Sequence, residues 1–187
     1  MHPPIAFNVS HDGALVALAF SPLSPGVPPL AHSVGVDVMH IRLPPRETLS
    51  SFIGIFTEQL APSEQAHLAR VPESERLKAF YRLWTLKEAY TKALGLGLGF
   101  DFARVVYEEK DHSLKIDGVQ PRGWSLHEFQ HTPRDASNTT AEEYIGIVAE
   151  RTDGDSVATL TQVDDNNQWI QTFRAEDFVK RAIASLT

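Results

Sequence analysis

Three short segments carry the residues whose types could do chemistry. They are "FNVSH" (Phe7 to His11), "VGVDVM" (Val34 to Met39) and "WTLKEAYTKALGLGL" (Trp84 to Leu98). They offer a hydroxyl beside an imidazole (Ser10, His11), a carboxylate inside a valine alternation (Asp37), and a carboxylate and an ammonium four residues apart (Glu88, Lys92), with Lys87 next to them. Groups of these types can hold a cation, grip an anion or move a proton. Each also has an ordinary reading. Ser10 and His11 suit a turn, Asp37 a strand-end acid paired with an arginine, and Lys87, Glu88 and Lys92 a solvated helix face. A Glu–Lys pair at that spacing stabilises a helix by only about 0.3–0.5 kcal/mol. Asp37 is the odd one, because aspartate is depleted in strands and its charge resists burial.

These residues need elements to position them. "IAFNVSH" alternates apolar and polar, "ALVALAF" is almost wholly apolar, and His11-Asp12-Gly13 between them reads as a turn, so two strands are expected. "SPLSPGVPPL" is a proline-rich loop, and "SVGVDVMHI" a third strand. A helix follows from about Arg46. Another begins at "APSEQAHLARV", with Ser63 as its cap. The longest element is expected from a Ser74 cap to about Leu94, stopped by Gly95. Its stripe of Leu77, Phe80, Tyr81, Trp84, Ala89 and Leu94 places Tyr81 and Trp84 in a core. Strand-like runs then follow in "FARVVYEE", "SLKIDG", "GWSLHEFQ" and "EYIGIVAE", with the polar stretch "HTPRDASNTTAE" before the last. "SVATLTQV" and the helix "AEDFVKRAIASL" finish the chain. The order of strands, helices and strands predicts an α+β fold with a largely antiparallel sheet packed against the long helix.

The chain has 187 residues, 42% of them hydrophobic and 22% charged, which reads as soluble and globular. Its formal net charge of -7 argues against non-specific nucleic-acid binding, but leaves room for a small anion held by a local cluster or a metal. No apolar run of about 18 residues predicts a membrane span, and no secretory signal pattern is visible. The absence of cysteine removes disulfides and thiolate metal sites and is compatible with a reducing, cytoplasmic setting.

Taken together and in this order, "FNVSH … VGVDVM … FYRLWTLKEAYTKALGLGLGF" resembles the Sfp-type 4′-phosphopantetheinyl transferases, and most closely their eukaryotic branch. The resemblance runs from about Ile5 to Val106. It implies transfer of 4′-phosphopantetheine from coenzyme A to a serine of an apo acyl, peptidyl or aryl carrier protein, with release of 3′,5′-ADP and dependence on Mg²⁺. This is holo-acyl-carrier-protein synthase chemistry. The carriers implied are fatty-acid synthase, polyketide or peptide synthetases and the aminoadipate reductase of lysine biosynthesis. By position, Asp37 and Glu88 match the metal ligands, with Glu88 also a possible base. Lys92 matches the phosphate-contacting lysine, and Ser10 and His11 the segment holding the 3′-phosphate of coenzyme A. Glu64 aligns, across a variable stretch, with an acid that serves as base or orients it. Lys87 is given a supporting role, and Gly35 lets backbone approach the ligand.

Two departures from the family follow. Met39 stands where many bacterial members carry a third acidic ligand, so a water would complete the metal shell. The family fold is pseudo-twofold, and this chain corresponds to its C-terminal half, with residues 1–150 as the transferase unit and 151–187 as a tail. Truncation, self-association that rebuilds the cleft, and a degenerate non-catalytic module binding carrier or coenzyme A all stay open. An unrelated Mg²⁺-dependent phosphohydrolase would need more acids than Asp37 and Glu88.

Overall fold

A computed structural model describes residues 5–22, 33–133, 142–151, 154–163 and 170–186. The expected proline-rich loop falls mostly outside them, as does most of the polar stretch before the last long strand. The chain begins with a hairpin of β1 (Ile5–Asp12) and β2 (Leu15–Pro22), paired antiparallel around a turn with Gly13 at φ +54°. That φ favours glycine. β3 (Ser33–His40) then joins β6 (Trp124–His131), β7 (Tyr144–Arg151) and β8 (Leu160–Gln162) in a four-stranded sheet of order β3-β7-β6-β8. β3–β7 and β7–β6 are antiparallel, and the short β6–β8 pairing is parallel. A separate hairpin joins β4 (Val105–Glu108) and β5 (Ser113–Ile116). The α+β expectation holds.

Helices α1 (Leu49–Ile55), α2 (Pro62–Arg70) and α3 (Glu73–Ala93) lie between β3 and β4, and α4 (Ala175–Leu186) closes the chain. Two expected caps are corrected. Ser63 lies inside α2 behind Pro62, and the Ala61 amide is capped instead by the Glu64 carboxylate at 2.9 Å. Ser74 lies in the first turn of α3, and Pro72 is the cap position. The far end behaves as expected: Gly95 takes φ +71°, its N–H bonds to Lys92 O, and the Leu96 N–H reaches back to Thr91 O. These bonds satisfy carbonyls that would otherwise be orphaned at the helix end.

α3 is buried on nearly all sides, Thr85, Lys87 and Thr91 included, which an apolar stripe did not announce. Phe80, Leu83, Leu86 and Ala89 pack with Ile145, Ile147 and Ala149 of β7 in one core, and Tyr90 meets Trp124 with ring centroids 4.5 Å apart. Tyr81 is core, as expected, and its hydroxyl donates to Arg42 O at 2.7 Å; Trp84 packs against the same cluster. The sheet does not end at residue 150, because Ala158 and Leu160 are also part of the core.

Gly35 sets the separation of helix and sheet. A Cβ there would sit 2.1 Å from Ala89 O and 2.4 Å from Ala93 N. The close approach it permits is to the backbone of α3, not to a ligand.

Candidate active site

The β1–β2 hairpin does not extend the main sheet by a backbone ladder. Side chains replace that ladder. Asn8 Oδ1 accepts from Val36 N–H (3.0 Å), Ser10 Oγ from Val38 N–H (3.4 Å), and Asp12 Oδ2 from His40 N–H (2.8 Å). Alternate residues of a strand face one way, so polar groups at positions 8, 10 and 12 match amides at 36, 38 and 40. The edge amides of β3 thereby gain partners. Arg42 adds an ion pair to Asp12 at 3.7 Å. Asn8 and Asp12 were missed by sequence reasoning; their spacing of two on either side of Ser10 was the signal.

This seam carries Ser10 to Asp37. The Ser10 hydroxyl donates to Asp37 Oδ1 at 2.8 Å. Lys92, reaching from the last turn of α3, donates to the same oxygen at 2.7 Å and to Ser10 Oγ at 3.1 Å. Asp37 is 4% exposed, and its Oδ2 is buried with no partner among the described residues. Burial pushes the Asp37 carboxyl above its ordinary pKa, against the pull of the Lys92 and Ser10 hydrogen bonds. Glu88, one turn before Lys92 and half-buried, is also raised, first by burial and then by the charge of Asp37. The structure thus places Ser10 and Lys92 on Asp37 Oδ1, with Glu88 near enough for the Asp37 charge to act on it, and leaves Asp37 Oδ2 buried without a partner among the described residues.

The other expected site residues lie elsewhere. His11 points to the opposite, exposed face of the hairpin, as alternation requires of the residue after Ser10. Glu64 is 2% exposed and fully engaged: it pairs with Lys87 Nζ at 2.8 Å, caps Ala61 N–H, and accepts from Tyr107 N–H at 3.0 Å. A carboxylate so enclosed is not available to a substrate hydroxyl. Lys87, 0% exposed, faces neither phosphate nor solvent; it donates to Phe102 O at 2.8 Å and to Val105 O. Burial lowers its pKa, an effect that Glu64 opposes. This buried pair ties α2, α3 and the start of β4 together beneath Glu88.

No group of three or more His, Cys, Asp or Glu side chains that could hold a metal occurs among the described residues. The carboxylates near one another here are Asp37 and Glu88, whose charges act on each other, and Asp37 has a buried oxygen without a partner among the described residues. That set suits a hard divalent cation that keeps several waters and takes its other ligands from phosphate. Met39, half-buried on the same face of β3, offers only a thioether.

Residues 33–148 match the family described as the 4′-phosphopantetheinyl transferase superfamily. The chain is 40% identical over 189 residues to the 4′-phosphopantetheinyl transferase pptA of Paxillus involutus, which covers 98% of this chain and 68% of that protein. It is 26% identical over 177 residues to the L-aminoadipate-semialdehyde dehydrogenase-phosphopantetheinyl transferase of Mus musculus, covering 88% of this chain and 52% of that protein. It is 32% identical over 117 residues to the 4′-phosphopantetheinyl transferase NpgA of Emericella nidulans, covering 50% and 34% respectively. The chain therefore spans about two thirds of the Paxillus relative and about half of the mouse one.

Proposed function

The chain belongs to the 4′-phosphopantetheinyl transferase superfamily, and on that premise we propose that it transfers 4′-phosphopantetheine from coenzyme A to a serine of an apo carrier protein. The observation that carries this reading is the cluster at Asp37: Ser10 and Lys92 bond to its Oδ1, the Glu88 carboxylate feels its charge, and its Oδ2 is buried with no partner among the described residues. In the reaction the carrier serine oxygen forms a bond to the β-phosphorus of coenzyme A. The bond from that phosphorus to the bridging oxygen breaks, 3′,5′-ADP leaves, and the serine proton passes to a base.

Asp37 Oδ2 and Glu88 are the groups that would hold Mg²⁺. A bound Mg²⁺ would neutralise pyrophosphate charge and align its oxygens. The chain's own groups do the rest. Lys92 presents its ammonium beside Asp37, where it can grip a phosphate oxygen and steady the charge that develops on the leaving group. Ser10 fixes the carboxylate by occupying Oδ1 and leaves Oδ2 free. Glu88 is partly exposed, so it suits the base role better than the enclosed Glu64. His11, on the exposed face beside Ser10, is open to a distal phosphate of coenzyme A.

Carriers of fatty-acid, polyketide and peptide synthesis, and an aminoadipate reductase as the names of the animal relatives suggest, are the proposed partners. A cytoplasmic setting suits them, and among the described residues no helix is long and apolar enough to cross a membrane. Residues 1–150 would carry the transferase site, with β8 of the following segment completing the sheet. A second reading is a non-catalytic module that holds carrier or coenzyme A. Isotope-labelled coenzyme A, apo carrier and Mg²⁺ separate the two. Label on the carrier in proportion to added protein supports the transferase; an unlabelled carrier at every protein concentration leaves the binding module.

A further inference from the structure

Met39 lies between the two places where α3 is tied to β3 and the residues that follow it. At one, Lys92 bonds to Asp37; at the other, the Tyr81 hydroxyl bonds to Arg42 O. Strand and helix therefore run in opposite directions along this seam. Tyr81, Thr85, Glu88 and Lys92 recur at helical spacing and share the face of α3 that lines it. Alternation puts Gly35, Asp37 and Met39 on the face of β3 turned to the helix, where a Cβ on Gly35 would meet Ala89 and Ala93. Met39 thus faces the stretch of α3 that carries Thr85 and Glu88. Along this seam two polar atoms have no partner among the described residues. They are Asp37 Oδ2 and the hydroxyl of Thr85, a residue 0% exposed. The Met39 thioether serves neither, being a weak acceptor and a soft ligand.

We propose that Met39 is an oxidation-sensitive ligand position, whose conversion to the sulfoxide adds a hard oxygen beside Asp37 and Glu88 and tightens the hold on a divalent cation. This rests on the cation site proposed above. In the step, a lone pair of the Met39 sulfur attacks one oxygen of a hydroperoxide. The O–O bond breaks and an S–O bond forms. The other oxygen leaves with the proton, as water when the oxidant is hydrogen peroxide. The sulfur loses two electrons and the peroxide gains them. A site that admits the pyrophosphate of coenzyme A also admits hydrogen peroxide. A methionine sulfoxide in a core is ordinarily a lesion, because it buries a polar oxygen without a partner. Here the facing stretch of helix holds an unused donor, the Thr85 hydroxyl, and the neighbouring carboxylates draw a cation that prefers oxygen. Enzymatic reduction of the sulfoxide restores the thioether, so the change is reversible. The chain has no cysteine and one other methionine, Met1, so few sulfurs compete for the oxidant.

Calorimetric titration with Mg²⁺ alone tests this on the full chain untreated, on the chain treated with dilute hydrogen peroxide, and on Met39→Gln. The glutamine carbonyl supplies a comparable oxygen without oxidation. Peptide mapping of the treated chain should find a gain of about 16 Da at Met39. The treated chain and Met39→Gln should each bind Mg²⁺ about threefold or more tightly than the untreated chain, because a protein oxygen replaces a water of the shell. Met39→Leu keeps the side-chain volume and should bind Mg²⁺ equally before and after peroxide. Should the treated chain lose its far-UV spectrum, Met39→Gln decides alone. Equal Mg²⁺ affinity in all three proteins overturns the proposal and leaves the cation site standing. So does peroxide that oxidises Met1 and spares Met39, or a rise in affinity that persists in Met39→Leu. Absence of Mg²⁺ binding from every form overturns the cation site itself, and this proposal with it.

Discussion

Replacing Gly35 by alanine tests how closely the candidate site depends on one backbone contact. The added Cβ would lie 2.1 Å from Ala89 O and 2.4 Å from Ala93 N, both backbone atoms of a helix buried on nearly every side. Ordinary contact begins near 3.4 Å, so strand and helix must part by about 1.3 Å. Overpacking of this kind costs about 1–3 kcal/mol, and a clash with two rigid backbone atoms belongs at or above the upper end. At roughly 2–4 °C per kcal/mol for a chain of this size, Tm should fall by about 6–12 °C. The same displacement opens the 2.7 Å contact between Lys92 and Asp37, which lies two residues along the same face of β3. Activity should therefore fall even at temperatures where the variant is folded. Gly54→Ala is the control: nothing lies within 4 Å of its Cβ in helix α1, and the change should be neutral or slightly stabilising. Thermal unfolding followed by circular dichroism reads both. A Gly35→Ala protein that melts within 2 °C of wild type would refute the packing argument.

Other outcomes follow from the same geometry. Lys87→Met strands Glu64 as a buried carboxylate and should cost about 3–5 kcal/mol, whereas adding Glu64→Gln should recover part of that loss; urea unfolding of the three variants measures the coupling. Asn8→Ala removes the partner of Val36 N–H and should cost about 1–2 kcal/mol, with hydrogen-exchange protection lost first at that amide. Asp37 and Glu88 both hold protons more tightly folded than unfolded, so their contribution to stability falls as pH rises from the ordinary carboxylate range through their raised values. Asp37→Asn should therefore raise the neutral-pH Tm of the metal-free protein and remove any upward shift that Mg²⁺ gives. Wild-type affinity for Mg²⁺, read by calorimetry, should begin to weaken on acidification above the ordinary carboxylate range; an unperturbed onset would contradict the burial argument.

Local patterns revealed most of the architecture. The valine alternation around Asp37, the stop at Gly95 and the hairpin at Gly13 each rest on a backbone preference that operates over a few residues. The long-range choices were less legible. Ser63 and Ser74 have the right chemistry for caps, but Ala61 and Pro72 hold the cap positions, and the Glu64 carboxylate that Lys87 holds reaches back to serve the Ala61 amide. Lys87 and Glu88 are neighbours with opposite fates, since one step around α3 turns a side chain by about 100° from the core to the site. Ser10 and His11 part in the same way on a strand. Glu64 had the residue type of a base, and only its burial against Tyr107 and Lys87 shows a different task. Gly35 could not be assigned to a helix contact without knowing which helix crosses β3.

The most direct test of the account compares phosphopantetheine transfer to an apo carrier by wild type, Asp37→Asn and Glu64→Gln, with intact-mass detection at a temperature where all three are folded. The account predicts transfer by wild type, a loss of about 100-fold or more in Asp37→Asn, and in Glu64→Gln a change no larger than its loss of folded protein explains. Transfer that survives Asp37→Asn, or that disappears from folded Glu64→Gln, would contradict the site drawn around Asp37, Glu88 and Lys92.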